Sequence, residues 1–235
     1  MYFTKLKNTL VSFKIKMKVV FDGKSESTQN AKNLNGKKCV RKEKFPHLMI
    51  VFNENEKVND ETRGILTFET NHWFFISASQ YYNLKSKKGL KRLGLLLESP
   101  HKSEYQNGLP IRPANGVTGE KIEALLANKM SESKLQKELP KTYDYEVVLI
   151  NAIQYQTSCY KLLKEEWNAV NRDHVFRLMY NNFGLKADLM KRLQSYGLDY
   201  LINCVTNNLK KEVQEDISKY FKATILEYSH PSSWK

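Results

Sequence analysis

Residues 93 to 101 read Leu-Gly-Leu-Leu-Leu-Glu-Ser-Pro-His, and this stretch decides the fold. Its first five residues form an apolar run, which is typical of a strand buried on both faces of a parallel sheet. Glu98 follows the run directly, so we expect its carboxylate at the carboxyl edge of the sheet. Open α/β folds place their ligands at that edge.

A second polar segment follows a strand at the other end of the chain. Residues 230 to 234 read His-Pro-Ser-Ser-Trp and come after the apolar run at 224 to 228. The two strand ends would place the Glu98 carboxylate and the His230 imidazole in one site. This pairing suits cleavage of a glycosidic bond, in which a sugar cation and an anionic leaving group develop together.

Apolar runs alternate with amphipathic helical segments from residue 93 onward. The sequence predicts strands at 93–97, 146–150, 200–205 and 224–228, and helices at about 119–137, 162–182, 186–196 and 209–221. Strands separated by helices pair in parallel through right-handed crossovers. We therefore predict the α/β class, with a three-layer α/β/α domain around a central parallel sheet.

The chain before this domain has a different composition. Residues 47–53, 64–70 and 72–77 are short β-branched and aromatic runs, which are typical of antiparallel strands. Five basic residues then crowd the segment 85–92, which predicts a linker or a phosphate-facing loop. We expect a boundary near residue 90, between a small basic β-containing region at 1–90 and the α/β domain at 91–235.

The net charge of +13 is concentrated at the front of the chain. Residues 1–46 carry 12 Lys and Arg against 3 Asp and Glu, a net charge of +9, whereas residues 93–235 carry only +2. A basic segment attracts a phosphate backbone by releasing condensed counterions, so the expected partner is DNA, single- or double-stranded. The alternative is a solvated, solubilising tail.

Cysteine and hydropathy patterns limit the other classes of protein. Cys39, Cys159 and Cys204 have no CxxC spacing, so we expect neither a disulfide framework nor a zinc site. No apolar run reaches the length of a membrane span, and lysines interrupt the first 21 residues too often for a signal peptide. We expect a cytoplasmic monomer that needs no membrane, metal or organic cofactor.

Three motifs resemble those of the uracil-DNA glycosylase superfamily, in the same order along the chain. Residues 97–110 resemble the first motif of its iron-sulfur branch, which has Gly-Glu-Ala-Pro-Gly followed by Glu, Gly and Pro at the spacing of positions 104, 108 and 110 here. Residues 147–152 are similar to the strand that carries the family's base-reading asparagine, here Asn151, and residues 230–232 match its closing His-Pro-Ser. The branch's four cluster-binding cysteines are absent, so no iron-sulfur cluster is expected.

The resemblance implies a role for each motif. Glu98 would stabilise the sugar cation and orient water, His230 would donate an N–H to the departing base, and Asn151 would read the edge of that base. Ile111 takes the position of the aromatic that stacks on the extruded base. Further substrate contacts are expected from Ser99, Pro100, His101 and Ser232, the last to a phosphate. Contacts to DNA are expected from Lys85, Lys87, Lys88, Lys91, Arg92, Arg112 and Trp234, with Trp234 either a wedge between bases or packed against the body.

The predicted activity is that of a monofunctional DNA glycosylase, which hydrolyses the N-glycosidic bond of a flipped-out uracil, damaged or modified base. One alternative is a non-catalytic nucleic-acid-binding protein that keeps the base pocket. Another is an enzyme that acts on free nucleosides or nucleotides. Each key residue also has a purely structural explanation: Glu98 as an ion-pairing group, Asn151 as a cap and His230 as a loop residue.

Overall fold

The computed structural model describes residues 18–19, 33–34, 37–42, 45–49, 54–81, 88–107, 109–157 and 169–235. The strands are β1 Lys18–Val19, β2 Asn33–Leu34, β3 Lys37–Lys42, β4 Phe45–Met49, β5 Glu61–Glu69, β6 His72–Ser77, β7 Gly89–Leu97, β8 Tyr105–Gln106, β9 Leu109–Pro110, β10 Tyr143–Asn151, β11 Tyr200–Asn203 and β12 Thr224–Glu227. The α-helices are α1 Ala78–Tyr81, α2 Val117–Met130, α3 Ser133–Gln136, α4 Ala169–Asn182, α5 Leu185–Ser195 and α6 Asn207–Tyr220. Short 3-10 helices lie at Glu54–Glu56, Lys102–Glu104 and Pro231–Ser233.

A six-stranded, mostly parallel sheet forms the centre of the fold. Its strand order is β12-β11-β7-β10-β5-β6. The first four strands in this order pair in parallel, as predicted, and β5 and β6 add to them in the antiparallel direction. The α/β class is therefore confirmed. Strands β1 to β4 form a separate antiparallel sheet in the order β1-β4-β3-β2.

Strands β5 and β6 are correctly predicted as antiparallel, but they do not belong to a separate region. β5 pairs along β10 from Tyr145 to Leu149, and the middle of β5 is buried on both faces. The expected boundary near residue 90 is therefore wrong for residues 61–77, which are part of the central sheet. The crowded basic segment misled the prediction, because strand pairing over long distances leaves no trace in local composition.

The two faces of the central sheet have separate hydrophobic cores. Leu93, Leu95 and Leu97 pack in one core with apolar side chains of α2 and α3. Leu96 and Ile150 point to the opposite face and pack with apolar side chains of α4, α5 and α6. Burial on both faces explains why β7 is a continuous apolar run rather than an alternating one. Among the described residues, no helix combines the length and the apolar character that crossing a bilayer requires.

A β-bulge in β5 places a charged side chain inside the fold. Val147 is opposite Gly64 and Val148 is opposite Thr62, which leaves Arg63 as the extra residue. Gly64 is required there, because a Cβ atom would come within 2.2 Å of the main-chain oxygen of Ile76 on β6. The Arg63 side chain is buried and its Nε lies 2.8 Å from the carboxylate of Glu123 on α2.

Candidate functional site

The carboxyl ends of three parallel strands lie side by side at one edge of the sheet. Asn151, the last residue of β10, is the register partner of Leu97, the last residue of β7. The ladder continues past the strand ends. The main-chain N–H of Ile153 donates to the main-chain oxygen of Glu98 at 3.1 Å, and the main-chain N–H of Cys204 donates to the main-chain oxygen of Leu96 at 2.9 Å. Glu98 therefore follows the strand that lies between β10 and β11 in the sheet.

The carboxylate of Glu98 is buried and paired. Its residue is 5% exposed, its Oε1 lies 3.1 Å from Nε of Arg172, and its Oε2 accepts a hydrogen bond from the Thr206 hydroxyl at 2.5 Å. Burial raises the pKa of Glu98, the charge of Arg172 and the Thr206 hydrogen bond lower it, and the nearby Asp173 raises it again. The two partners favour an ionised carboxylate at a place where burial opposes one.

A short chain of contacts holds the guanidinium beside Glu98. Arg172 on α4 donates from Nη2 to Asp173 Oδ1 at 2.7 Å, and the other oxygen of Asp173 accepts from the Asn208 amide at 2.9 Å. Arg172, Asp173 and Thr206 were not predicted as site residues from the sequence. Thr206 had a usable signal, because it lies just after the strand predicted at 200–205, whereas Arg172 and Asp173 resemble ordinary helix charges.

His230 is held in one tautomer by the turn that follows it. Its Nδ1 accepts the main-chain N–H of Ser232 at 3.2 Å and lies 2.8 Å from the Ser232 hydroxyl. In the neutral ring the proton is therefore on Nε2, which remains a donor. Burial lowers the pKa of His230 to about 4, and the charges of Arg172 and Lys210 act in the same direction. Arg172 thus acts electrostatically on both predicted catalytic residues, Glu98 and His230.

The end of the chain packs against the body of the protein. Trp234 is 2% exposed and meets the Tyr228 ring edge-on, with 6.0 Å between the ring centroids. Its Nε1–H donates to the main-chain oxygen of Ser229 at 3.1 Å. The ammonium of Lys121 on α2 donates to the main-chain oxygens of Ser232 and Trp234 at 2.7 and 2.8 Å. The expectation that Trp234 is a wedge between bases is therefore wrong in this structure, and its packing alternative is the one observed.

Asn151 carries a buried amide that has no hydrogen-bond partner in the part of the chain that the structure describes. Its residue is 1% exposed, and neither Oδ1 nor Nδ2 has a partner among the described residues. The amide lies beside the Glu104 carboxyl and lowers its pKa, but this contact lacks hydrogen-bond geometry. Burying an amide without partners costs free energy, so such a group calls for a functional explanation.

Glu104 is a second buried carboxyl at this edge, and sequence analysis noted its spacing without giving it a role. It accepts the main-chain N–H of His101 at 3.0 Å, whereas the His101 ring is exposed. Burial raises the pKa of Glu104 to about 7, against the lowering effects of the main-chain amides of His101 and Ala114, of Asn151 and of Arg63. A carboxyl with this pKa exchanges protons near neutral pH.

The other predicted substrate contacts have different surroundings. The Ser99 hydroxyl lies 2.6 Å from that of the buried Thr157, so the two side chains bridge the loops after β7 and β10. Pro100 is buried, whereas Ile111 is 47% exposed. Ile111 and the exposed Arg112 follow β9, and the latter donates to Asn115 at 3.2 Å.

Lys91 and Arg92 lie far from this edge of the sheet. They belong to the amino-terminal part of β7, and the seven residue steps from Lys91 to Glu98 span about 23 Å of extended strand. Both side chains are also paired with acids on neighbouring elements, Lys91 with Asp199 at 3.7 Å and Arg92 with Glu146 at 2.6 Å. Their contact with DNA stays a prediction, which this position and these ion pairs do not support.

The segment predicted as a linker is in part a strand. Lys88 directly precedes β7, and its ammonium donates to the main-chain oxygen of Phe68 on β5. Lys88 therefore lies at the same far edge of the sheet as Lys91, and its expected contact with DNA likewise stays a prediction. Lys85 and Lys87 lie outside the described residues.

Comparisons with protein-family models, curated proteins and solved structures found no significant match. Among the described residues, no group of three or more His, Cys, Asp and Glu side chains is arranged to hold a metal ion.

Proposed function

We propose that this protein is a glycosylase of the uracil-DNA glycosylase type, which hydrolyses the N-glycosidic bond of a base swung out of DNA. We also propose the three-layer α/β/α arrangement of that superfamily, with α2 and α3 on one face of the sheet and α4 to α6 on the other. The observation that carries the proposal is the buried Asn151 amide one register step from Glu98, which has no hydrogen-bond partner among the described residues. Among the predicted site residues that the structure describes, no other is in a state that a nucleobase would explain so directly.

The Asn151 amide matches the edge of a pyrimidine with a protonated ring nitrogen. Its Oδ1 can accept a ring N–H while its Nδ2 donates to the adjacent carbonyl oxygen. Uracil has this pattern, and so does the six-membered ring of hypoxanthine. A base that binds there supplies two hydrogen bonds that the described part of the chain does not make to this amide, which favours base binding.

Glu98 and His230 would act on the two charges that develop as the bond breaks. The ionised Glu98 carboxylate, fixed by Arg172 and Thr206, would stabilise the sugar cation and orient the attacking water. The Nε2–H of neutral His230 would donate to the oxygen that becomes negative on the leaving base. The low pKa of His230 suits this role, because the ring stays neutral at the pH of the reaction.

Water is the nucleophile in this proposal. Lys210 has a lowered pKa, but its ammonium donates to the main-chain oxygen of Tyr228. A lysine engaged in this way is poorly placed to attack the sugar, so we propose simple hydrolysis without strand cleavage. His101, Ile111, Arg112 and Ser232 would contact the base or the flanking phosphates.

One observation favours a second candidate, a protein that binds an extruded base without releasing it. Both oxygens of Glu98 already have a partner, so part of the charge needed for the sugar cation is neutralised. A binding protein would keep the Asn151 amide and lose turnover. The two candidates differ in one measurable outcome, the formation of abasic sites.

The test uses oligonucleotides that contain uracil, hypoxanthine or a bulky modified base, followed by alkaline cleavage of abasic sites. We expect release of at least one base by the wild type, and a loss of roughly a hundredfold or more in Glu98→Gln and His230→Gln. The matched control is Glu146→Gln, which removes a carboxylate on β10 that pairs with Arg92 away from the site.

Each other result selects a different conclusion. Tight binding of these oligonucleotides without release supports the second candidate. Equal release from free deoxynucleosides would indicate an enzyme of small substrates. Full activity in both site variants would show that Glu98 and His230 are not catalytic residues.

A further inference from the structure

A buried ion pair encloses the main chain of Asn151. Oδ1 of Asp60 accepts the main-chain N–H of Asn151 at 3.1 Å, and Nη2 of Arg192 donates to the main-chain oxygen of Asn151 at 3.0 Å. The same two side chains are joined to each other, with Nη1 of Arg192 at 2.5 Å from Oδ2 of Asp60. Both polar groups of the Asn151 main chain are thus held by one pair of charged side chains, which we call the clamp.

The clamp is rigidly supported from two distant parts of the chain. The Asp60 side chain is 1% exposed and also accepts the Tyr196 hydroxyl at 2.8 Å. Arg192, on α5, is held further by Asp188, which accepts its Nε at 2.8 Å. Hydrogen bonds to ionised groups are about twice as strong as neutral ones, so the clamp opposes rotation of the Asn151 peptide.

The position of the clamp explains why Asn151 needs it. On one side Asn151 continues the ladder with β7, but on the other side the pairing of β5 with β10 ends at Leu149. Asp60 directly precedes β5, and its side chain accepts the Asn151 N–H at the point where the strand pairing ends. The clamp therefore replaces the missing strand and fixes the direction in which the Asn151 side chain leaves the main chain.

We propose that Asp60 and Arg192 are positioning residues that set the discrimination between bases, by fixing the direction of the Asn151 amide. This proposal rests on the proposed function. An amide selects one donor–acceptor pattern over its reverse only while its two atoms are held in place. Loosening the clamp therefore weakens selection more than it weakens binding in general.

The experiment measures inhibition of the wild-type reaction and of its variants by free uracil and free cytosine, whose edges have reversed donor–acceptor patterns. The readout is the inhibition constant for cytosine divided by that for uracil, which is large when the site prefers uracil. We expect Asp60→Ala to lower this ratio about tenfold or more, because a site built to hydrogen-bond one pattern rejects the other only while it is ordered. Arg192→Lys keeps the positive charge but loses the two separate N–H groups that bind Asp60 and Asn151, so it should lower the ratio by a smaller factor.

Two matched controls remove neighbouring contacts of the clamp. Asp188→Ala removes the second carboxylate that pairs with Arg192, and Tyr196→Phe removes the hydroxyl that donates to Asp60. Neither Asp188 nor Tyr196 is hydrogen-bonded through its side chain to the Asn151 main chain. We expect both controls to change the ratio by less than about threefold. All variants are compared at a temperature where melting curves show that they are folded.

The outcomes separate the two proposals. If Asp60→Ala and Asp188→Ala change the ratio equally, or if Arg192→Lys and Asp60→Ala both keep the wild-type ratio, the clamp is only structural and the inference is overturned. If Asp60→Ala does not fold, Arg192→Lys decides alone. A wild type that releases no base refutes the proposed function and this assignment with it.

Discussion

Replacement of Arg172 by alanine tests the electrostatics of the site. The Nε of Arg172 is 3.1 Å from Oε1 of Glu98, and two unit charges about 4 Å apart attract each other by about 4 kcal/mol at an effective dielectric constant of 20. The Arg172 side chain is 28% exposed and shares its charge with Asp173, so solvent and the second carboxylate reduce this attraction. We expect a coupling energy between Arg172 and Glu98 of about 2 kcal/mol at pH 8.

The pH dependence of this coupling has a definite sign. Burial raises the pKa of Glu98 above its value in the unfolded chain. The contribution of Glu98 to the free energy of unfolding is therefore largest below the unfolded pKa and falls as pH rises through the folded pKa. Loss of Arg172 raises the folded pKa of Glu98 further, so the cost of Arg172→Ala grows from acidic to alkaline pH. The acidic limb of the kcat/KM profile should move to higher pH in the same variant.

The assay is a double-mutant cycle with Arg172→Ala, Glu98→Gln and the double variant, measured by urea denaturation at pH 4.5 and pH 8. The cycle removes the contribution of Asp173, which loses the same partner in both backgrounds. Coupling near zero at pH 8, or coupling of equal size at both pH values, would refute the account of Glu98 as a carboxylate kept ionised by Arg172.

Three further predictions concern separate parts of the molecule. The ring of His230 should stay in the neutral Nε2–H form from pH 5 to 8 in long-range ¹H–¹⁵N NMR spectra, because burial lowers its pKa to about 4, and a titration near 6.5 would contradict this. Gly119→Ala should lower the free energy of unfolding, measured by urea denaturation, by about 3 kcal/mol, because its Cβ would come within 1.8 Å of a main-chain oxygen. Gly197→Ala, where φ is +59° but the space is open, should lower it by about 1 kcal/mol. Equal losses would show that the clash at Gly119 is relieved. Joint replacement of Lys91 and Arg92 by alanine should leave DNA affinity and its salt dependence unchanged in fluorescence anisotropy, and a slope reduced by about 2 would place both residues on phosphates.

The sequence predicted the parallel part of the sheet because three of its four strands, β7, β10 and β11, contain runs that are buried on both faces. Such strands are continuous apolar runs, and the polar residues that follow them, Glu98, Asn151 and His230, stand out at once. The bounds of β7 and β10 extend beyond the predicted runs, because their amino-terminal halves carry the exposed or paired side chains of Lys91, Arg92 and others.

The rest of the site was not visible in the sequence, because it depends on contacts between distant segments. Asp60 and Arg192 are 132 positions apart, and neither is marked by a motif. Arg172 has the appearance of a solvent-facing helix charge until α4 is placed against the end of β7. Trp234 could not be assigned between a wedge and a core residue, because only the fold brings Tyr228 and Lys121 to it.

The antiparallel pairing of β5 on β10 has a practical consequence for recombinant fragments. A fragment that begins at residue 91 would lack both antiparallel strands, so one side of β10 would present a row of unsatisfied main-chain groups. Apolar side chains that share a core with Leu66 of β5, such as Tyr145 and Val147, would lose part of their packing. Such a truncated chain should aggregate by edge-to-edge association, and it would also lose the carboxylate at position 60.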